Sequence, residues 1–345
     1  MLHIKSIVKS IGDFTLGPVE LTVGNEILVI LGPSGSGKTT LLNVISGILN
    51  MDDGEILIGG ENISKEPIEK RSTAIVFQED TLFPHMTVIE NITYANVGGE
   101  DIKKIIDIFG IGKILDRSID TLSGGEKNRV SLARAIVSKP KVLLLDEPLS
   151  SLDHPIRKRL SIDLRKILKQ IEIPVIYVTH DRDVAWEIGD KIAIMSGGKI
   201  CQIGTSEGIF KNPKTVVAAE ITGESNILKM VVIKRNGKGH IVEWGPYKLE
   251  ARVGGLENGK EICVCVRPEN IVLGKQKKGK NWMKGEIVEK IFKGHRYAVE
   301  LDIEGVKDQI RAYASLKQNE NIKLEKGITL GVYFPEESIQ IVSNK

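Results

Sequence analysis

Residues 26–40 read Glu-Ile-Leu-Val-Ile-Leu-Gly-Pro-Ser-Gly-Ser-Gly-Lys-Thr-Thr. The segment opens as a short apolar run, Glu26 to Leu31, of the length and continuity expected for a strand buried on both faces. It then passes through Gly32 to Thr39, which fit the spacing G-x-x-x-x-G-K-[ST], into a helical pattern from Thr39 to Leu49. A strand, a glycine loop and a helix in that order make a cradle for phosphates. The glycines let backbone N–H groups close around the anion, and the helix N-terminus adds its partial positive charge. Lys38 can reach the β- and γ-phosphates, and the Thr39 hydroxyl can bind Mg²⁺. Gly32, Pro33, Ser34, Gly35, Ser36, Gly37, Lys38, Thr39 and Thr40 are therefore candidate nucleotide-binding residues.

Three further apolar runs end in the same way. Thr73 to Phe77 stops at Gln78, Val142 to Leu145 at Asp146 and Glu147, and Pro174 to Thr179 at His180. Apolar runs separated by helical stretches read as a parallel sheet covered on both faces. Such sheets bind ligands beyond the carboxyl ends of their strands. Asp146 can hold Mg²⁺ directly or through water, and Glu147 can orient or deprotonate an attacking water. Leu122-Ser-Gly-Gly-Glu126 precedes another helix, with Ser123 and Glu126 at capping-box spacing. Gly124 and Gly125 leave that helix end bare of side chains, so a second anion can approach it.

These motifs, with Ser150-Ser-Leu-Asp153, occur in the order of the ATP-binding cassette (ABC) ATPases. The chain resembles that family over residues 1 to about 222. The resemblance implies ATP and Mg²⁺ as cofactors and a head-to-tail homodimer. Each ATP then lies between the phosphate loop of one subunit and Ser123, Gly124, Gly125 and Glu126 of the other. Gln78 resembles the residue that contacts Mg²⁺ and reports to a membrane subunit. His180 resembles the switch histidine that holds the γ-phosphate, and Asp153 the residue linking the two sites. Phe14 resembles the aromatic that stacks on adenine, although a core role for a phenylalanine in an N-terminal strand stays open. Asn128 and Ser151 depart from the usual glutamine and alanine and put rate and dimer affinity in doubt.

The 345 residues suffice for two domains, and a net charge of +3 argues against a protein built mainly to neutralise nucleic acid. No apolar stretch has the length of a membrane span, and Met-Leu-His-Ile-Lys-Ser shows no signal region, so a cytoplasmic address is expected. Cys201, Cys263 and Cys265 show no framework spacing. Cys263 and Cys265 should share one strand face as small apolar side chains. After the turn-rich stretch Thr222 to Asn226, short alternating segments read as a small all-β unit. The expected fold is thus an α/β ATPase domain over 1–222, with a parallel sheet and a helical signature subdomain. A smaller OB-type regulatory domain of MOP/TOBE-like character follows over 226–345.

Leu82-Phe-Pro-His-Met-Thr-Val88 resembles importer subunits that dock an integral membrane permease, served in turn by an extracellular or periplasmic substrate-binding protein. This implies a peripheral protein on the cytoplasmic face of the cell membrane. The segment Cys265-Val-Arg-Pro-Glu-Asn-Ile271, the Gly-Asp-Phe-Thr-Leu start and the ending Ala314-Ser-Leu with Glu337-Ser-Ile-Gln-Ile-Val are similar to molybdate/tungstate importer ATPases. Molybdate or tungstate is therefore the first expectation for cargo. Sulfate, ferric iron, polyamine and sugar are the alternatives, and a soluble ATPase linked to nucleic acid is the alternative of another class. Lys293-Gly-His-Arg296, between two expected strands, is a candidate oxyanion site in the C-terminal domain.

Overall fold

A computed structural model describes residues 1–78, 81–94, 102–150, 154–237, 239–252, 255–275 and 279–343. The chain divides into two compact units, Met1–Ser206 and Glu207–Lys345. The first is an α/β unit with two sheets. Strands β1 (Leu2–Ile11), β2 (Phe14–Val23), β4 (Asp53–Ile58) and β5 (Glu61–Asn62) form an antiparallel sheet in the order β2-β1-β4-β5. The larger sheet has the order β10-β9-β3-β8-β7-β6. It uses β3 (Ile27–Leu31), β6 (Thr73–Val76), β7 (Val142–Asp146), β8 (Val175–Thr179), β9 (Lys191–Ser196) and β10 (Lys199–Gly204).

Every residue of β3, β7 and β8 is buried, as continuous apolar runs demand. Helix α1 (Lys38–Ser46) packs on β6, β7 and β8, while α6 (Arg182–Ile188) packs on β3 and β8. A helical subdomain, α2 (Val88–Tyr94), α3 (Ile102–Phe109) and α4 (Gly124–Val137), gathers around α4. The long α5 (His154–Ile171) packs against α6.

Helix α1 carries the phosphate loop, and its far end is fixed by a buried cation. Gly47 ends the helix at φ +88°, and a Cβ there would sit 2.6 Å from Nε of Arg71. Arg71, 3% exposed, donates to the carbonyls of Val44, Ile45, Ser64 and Glu66 at 2.8–3.2 Å. It thus adds charged donors to carbonyls at the helix end, where Gly47 N also donates to Val44 O at 3.3 Å, and complements the helix dipole.

The second unit opens with α7 (Ser206–Lys211) and α8 (Val216–Thr222) and continues as two five-stranded antiparallel sheets. One, in the order β13-β12-β11-β14-β20, contains β11 (Asn226–Asn236), β12 (Gly239–Trp244), β13 (Tyr247–Ala251), β14 (Glu261–Val266) and β20 (Gln340–Val342). The other, β15-β19-β16-β17-β18, contains β15 (Val272–Gly274), β16 (Trp282–Phe292), β17 (Arg296–Ile303), β18 (Gln309–Ser315) and β19 (Thr329–Tyr333). A short helix, α9 (Leu316–Ile322), follows β18. Leu228, Val264, Val299, Ile310 and Phe334 come from both sheets into one core.

The division falls ahead of Thr222–Asn226, the turn-rich stretch between the two expected domains. The physical reason is Arg267, 5% exposed, which donates to Ala219 O, Glu224 O, Ser225 Oγ and Thr222 Oγ1 at 2.7–3.3 Å. A stretch rich in turn residues is thereby fixed to the end of β14. Cys265 is buried with Ala219 and Val342, and Cys263 packs partly against them, so both thiols do share one face. Among the described residues no helix is long and apolar enough to cross a membrane.

Replacing Arg71 takes charged donors away from buried carbonyls at the end of α1. Arg71→Ala should therefore lower the unfolding free energy of the N-terminal unit by about 3 kcal/mol, from the loss of charged hydrogen bonds. Urea titration followed by circular dichroism reads this as a lower midpoint. An unchanged midpoint would mean that α1 is held otherwise.

Candidate functional site

Register brings the four strand ends to one line. In the parallel pairs, Leu31 lies beside Thr179, Val178 beside Asp146, and Leu145 beside Val76. The phosphate loop, His180, Glu147 and the segment leading to Gln78 therefore leave the sheet along the same edge. Gln78 itself is exposed just past β6.

Within the loop, Pro33, Ser34 and Gly35 form an exposed crown, while Ser36 and Lys38 are buried and Thr40 is half-buried. Gly37 takes φ +100°, and a Cβ there would lie 2.8 Å from Cζ of Phe14. The glycine is thus required by backbone conformation and by ring contact together. The contact also places Phe14 against the loop, though the same half-buried ring packs on the core of this unit.

The charges at the strand ends are poorly compensated. Lys38 Nζ donates to the carbonyls of Gly32 and Pro33 at 2.9 and 3.0 Å. Burial pushes its pKa below the usual lysine value, against the opposing fields of Glu147 and Asp146. Burial likewise raises the Asp146 carboxyl, with Glu147 adding to the effect. The Thr39 hydrogen bond and the Lys38 charge oppose it. Thr39 Oγ1 donates to Asp146 Oδ1 at 3.2 Å. Ser36 Oγ is buried without a hydrogen-bond partner in the structure. An orphaned hydroxyl, a desolvated ammonium and amide groups of a helix N-terminus suit a polyphosphate. A hydroxyl and a buried carboxylate in contact suit a hard divalent cation such as Mg²⁺, which prefers oxygen ligands.

Beside them, the Glu147 carboxylate and His180 Nδ1 are 2.8 Å apart. The Glu147 side chain is 13% exposed and that of His180 54%. Glu147 also holds φ +46°, a left-handed conformation that a non-glycine residue adopts at some cost. Such strain fits a residue aimed by its surroundings rather than by its own preference. A carboxylate held by a histidine at a phosphate site can order and deprotonate a water.

The signature helix end is built as its spacing suggests. Ser123 Oγ accepts from Glu126 N at 3.3 Å, and the Glu126 carboxylate accepts from Ser123 N and Oγ at 2.8 Å. These bonds hold the Glu126 carboxyl below its usual range. Ser123 and Gly124 are exposed. Gly125 has a packing reason as well, since a Cβ there would meet Leu160 at 3.0 Å. Asp153 and Ser151 lie outside the described residues.

Several residues carry no signal of their own in the sequence. Arg157 pairs with Asp181 at 2.7 Å, across 24 residues of chain. Asp181 caps α6: its Oδ1 accepts from Asp183 N and Val184 N at 2.9 and 3.2 Å, and an aspartate just ahead of a helical pattern is the signal that could have found it. The Leu82–Val88 segment divides its apolar side chains between core and surface. Leu82 is buried, and the face presented is Phe83, edge-on to the ring of Tyr94 at 4.8 Å, with Arg134 5.2 Å from the Phe83 centroid. Phe83, Tyr94 and Arg134 line a groove of about 310 Å³ over β6 and α4.

At Lys293–Arg296 the structure gives a tight turn joining β16 to β17. Lys293 and His295 are exposed, and two backbone amides there, of Lys293 and His295, are spent on turn hydrogen bonds. The Arg296 guanidinium lies over the Tyr313 ring, 3.5 Å from its centroid. Those two backbone donors are thus spent within the turn, whereas Arg296 Nε is buried without a hydrogen-bond partner.

Comparison with known proteins extends these observations. A family model described as ABC transporter matches residues 16–150, and one described as TOBE domain matches 264–342. The spermidine/putrescine import ATP-binding protein PotA of Clostridium novyi is 38% identical, covering 98% of this chain and 96% of that protein. Proteins of the same name from Borrelia garinii and Haemophilus influenzae are 40% and 35% identical over 85% and 89% of this chain, and 85% and 87% of their own lengths. Among solved structures, a nucleotide-free ATP-binding cassette from an ABC transporter is 27% identical with a TM-score of 0.56, covering 65% of this chain and 99% of that one. A Clostridium perfringens protein, part of the cbiONQ transporter complex, is 29% identical with a TM-score of 0.55, over 61% of this chain and 90% of its own.

Because burial raises the Asp146 pKa, the folded chain holds that proton more tightly than the unfolded chain. Stability is therefore lost as pH rises through the interval above the ordinary carboxylate value. Asp146→Asn should raise the melting temperature of the nucleotide-free protein near neutral pH, with the gain fading in acid, and should abolish Mg²⁺-dependent ATP turnover. Scanning calorimetry across pH checks the first part. A lower melting temperature at neutral pH would contradict it.

Proposed function

The chain belongs to the ABC transporter ATP-binding family and carries a C-terminal TOBE domain, and from that premise we propose that it is the ATP-hydrolysing motor of a polyamine importer. The observation that carries the motor reading is the pairing at the strand ends: Lys38, Thr39 and Asp146 in mutual reach, with the Glu147–His180 contact beside them. Polyamine cargo is favoured by the relatives from Clostridium novyi, Borrelia garinii and Haemophilus influenzae, each named for spermidine/putrescine import. This displaces molybdate or tungstate, the first expectation, in favour of one of its alternatives.

In this reading Lys38 and the loop amides bind the β- and γ-phosphates, and Phe14 offers a ring to the adenine. Thr39, Asp146 and Gln78 would hold Mg²⁺, which supplies charge neutralisation at the phosphate oxygens. Glu147 takes the proton of the attacking water. His180 keeps the carboxylate aimed and faces the γ-phosphate. Ser123, Gly124, Gly125 and Glu126 present their helix end to the nucleotide of a second copy, with Asp153 between the two sites. The groove at Phe83, Tyr94 and Arg134 receives the permease, which puts the protein at the inner face of the membrane.

Glu147→Gln tests the chemistry. It removes the base and keeps the shape, so turnover should fall by about a thousandfold. ATP binding should persist, and an ATP-stabilised dimer should appear by light scattering. Normal turnover would remove Glu147 from the role. Uptake of labelled spermidine by cells expressing the chain with its permease tests the cargo. Uptake of molybdate in its place would overturn the polyamine reading. Phe83→Ala should cut uptake at least about tenfold, as expected when an aromatic anchor of an interface is truncated. ATPase activity of the isolated chain should remain. Loss of both in a folded protein would make the segment structural.

A further inference from the structure

Arg157 stands in none of the motifs described above, yet it touches the turns after both β7 and β8. One guanidinium nitrogen, Nη1, donates to the Asp181 carboxylate at 2.7 Å, and the other, Nη2, to the Ser150 carbonyl at 3.3 Å. Asp181 follows His180 directly and is anchored in turn by its own amide, which donates to Thr179 Oγ1 at 3.0 Å. Ser150 is fastened to Glu147: its amide and its hydroxyl both donate to the Glu147 carbonyl, at 3.0 and 2.9 Å. The residues flanking the Glu147–His180 contact are therefore bound to the same side chain.

We propose that Arg157 is the positioning residue of the hydrolytic pair, holding the His180 turn against the Glu147 turn through Asp181 and Ser150, so that hydrolysis depends on it although it touches neither nucleotide nor water. This rests on the ATPase reading above and deepens it. Both members of the pair need such support. The His180 side chain is 54% exposed, so packing alone does not fix its ring. Glu147 sits at φ +46°, a conformation that persists only when the surroundings over-determine it.

The geometry also requires arginine specifically. Asp181 divides its carboxylate, with Oδ1 capping α6 and Oδ2 facing Arg157. Burial works to raise the Asp181 carboxyl, but the Arg157 hydrogen bond and the α6 amides outweigh it and keep it ionised below its usual range. A planar guanidinium can serve a carboxylate and a carbonyl at once from fixed positions. A lysine can reach one of them.

A purely structural ion pair makes a different forecast. The Arg157 and Asp181 side chains are 23% and 21% exposed. Removing such a pair would cost stability while leaving the chemistry of folded molecules alone. A misplacement on the order of 1 Å, by contrast, is enough to slow a reaction about a hundredfold.

The test is steady-state and single-turnover ATP hydrolysis by the full-length chain with Arg157→Ala, Arg157→Lys, His180→Ala and the Arg157→Ala/His180→Ala double variant. Arg157→Ala should lower kcat about a hundredfold with KM for ATP within about threefold, and Arg157→Lys should lie between it and the parent. On the His180→Ala background, Arg157→Ala should cost clearly less than on the parent, because one of the two groups it positions is already gone. Parental kcat in Arg157→Ala would overturn the proposal, as would an equal loss on both backgrounds. If Arg157→Ala does not fold, Arg157→Lys carries the same comparison. A parent chain with no ATP turnover would remove the ATPase reading itself, whereas a parent that turns over while Arg157 variants match it would remove this inference alone.

Discussion

The parallel register of β3, β8, β7 and β6 is the constraint on which the site depends. These strands pair so that Leu31, Thr179, Asp146 and Val76 finish along one edge. Residues far apart in the chain meet there because each follows directly on a strand whose position is set by burial. A strand rises about 3.3 Å per residue. A slip of two residues would preserve which face each side chain occupies, yet it would separate Thr39 from Asp146 and His180 from Glu147. All five residues of β3, β7 and β8 are buried, so their apolar surface resists such displacement.

What the register assembles is strained. Lys38 and Asp146 are both drawn toward their neutral forms by burial, the Ser36 hydroxyl has no partner, and Glu147 holds a left-handed backbone. A protein selected for stability alone would not keep these four features together. In the proposed function a polyphosphate with a divalent cation would answer the first three, and the fourth would aim a carboxylate. The cost is offset by the surrounding framework, including Arg71 at the far end of the helix that carries Lys38.

Much of this was legible in the sequence because the signals are local. Apolar runs gave β3, β6, β7 and β8, the glycine spacing gave the loop, and Ser123 with Glu126 gave the capped start of α4. The alternating segments after residue 226 became strands of the second unit. Long-range polar contacts were not legible. Arg157 and Asp181 are joined across 24 residues, and Arg267 fixes the Thr222–Asn226 stretch from more than 40 residues away; neither leaves a periodic trace. The surface formed by Phe83, Tyr94 and Arg134 was half visible, because Phe83 lay in a readable segment but Tyr94 and Arg134 reach it only through folding. Cargo had no local signal in the ATPase unit, since nothing there needs to touch it.

One chain holds one phosphate loop and one exposed signature helix end, and Ser123 in that end is engaged with its own Glu126. If ATP is hydrolysed as proposed, the working site is completed between two copies, with Lys38 of one and Ser123 of the other on the same nucleotide. Mixing Lys38→Ala chains with Ser123→Arg chains tests this most directly. On this account neither variant hydrolyses ATP alone, and the mixture recovers turnover, because some pairs contain one site with both parts intact. A mixture as inactive as its components, with mixed dimers demonstrated by crosslinking, would contradict it.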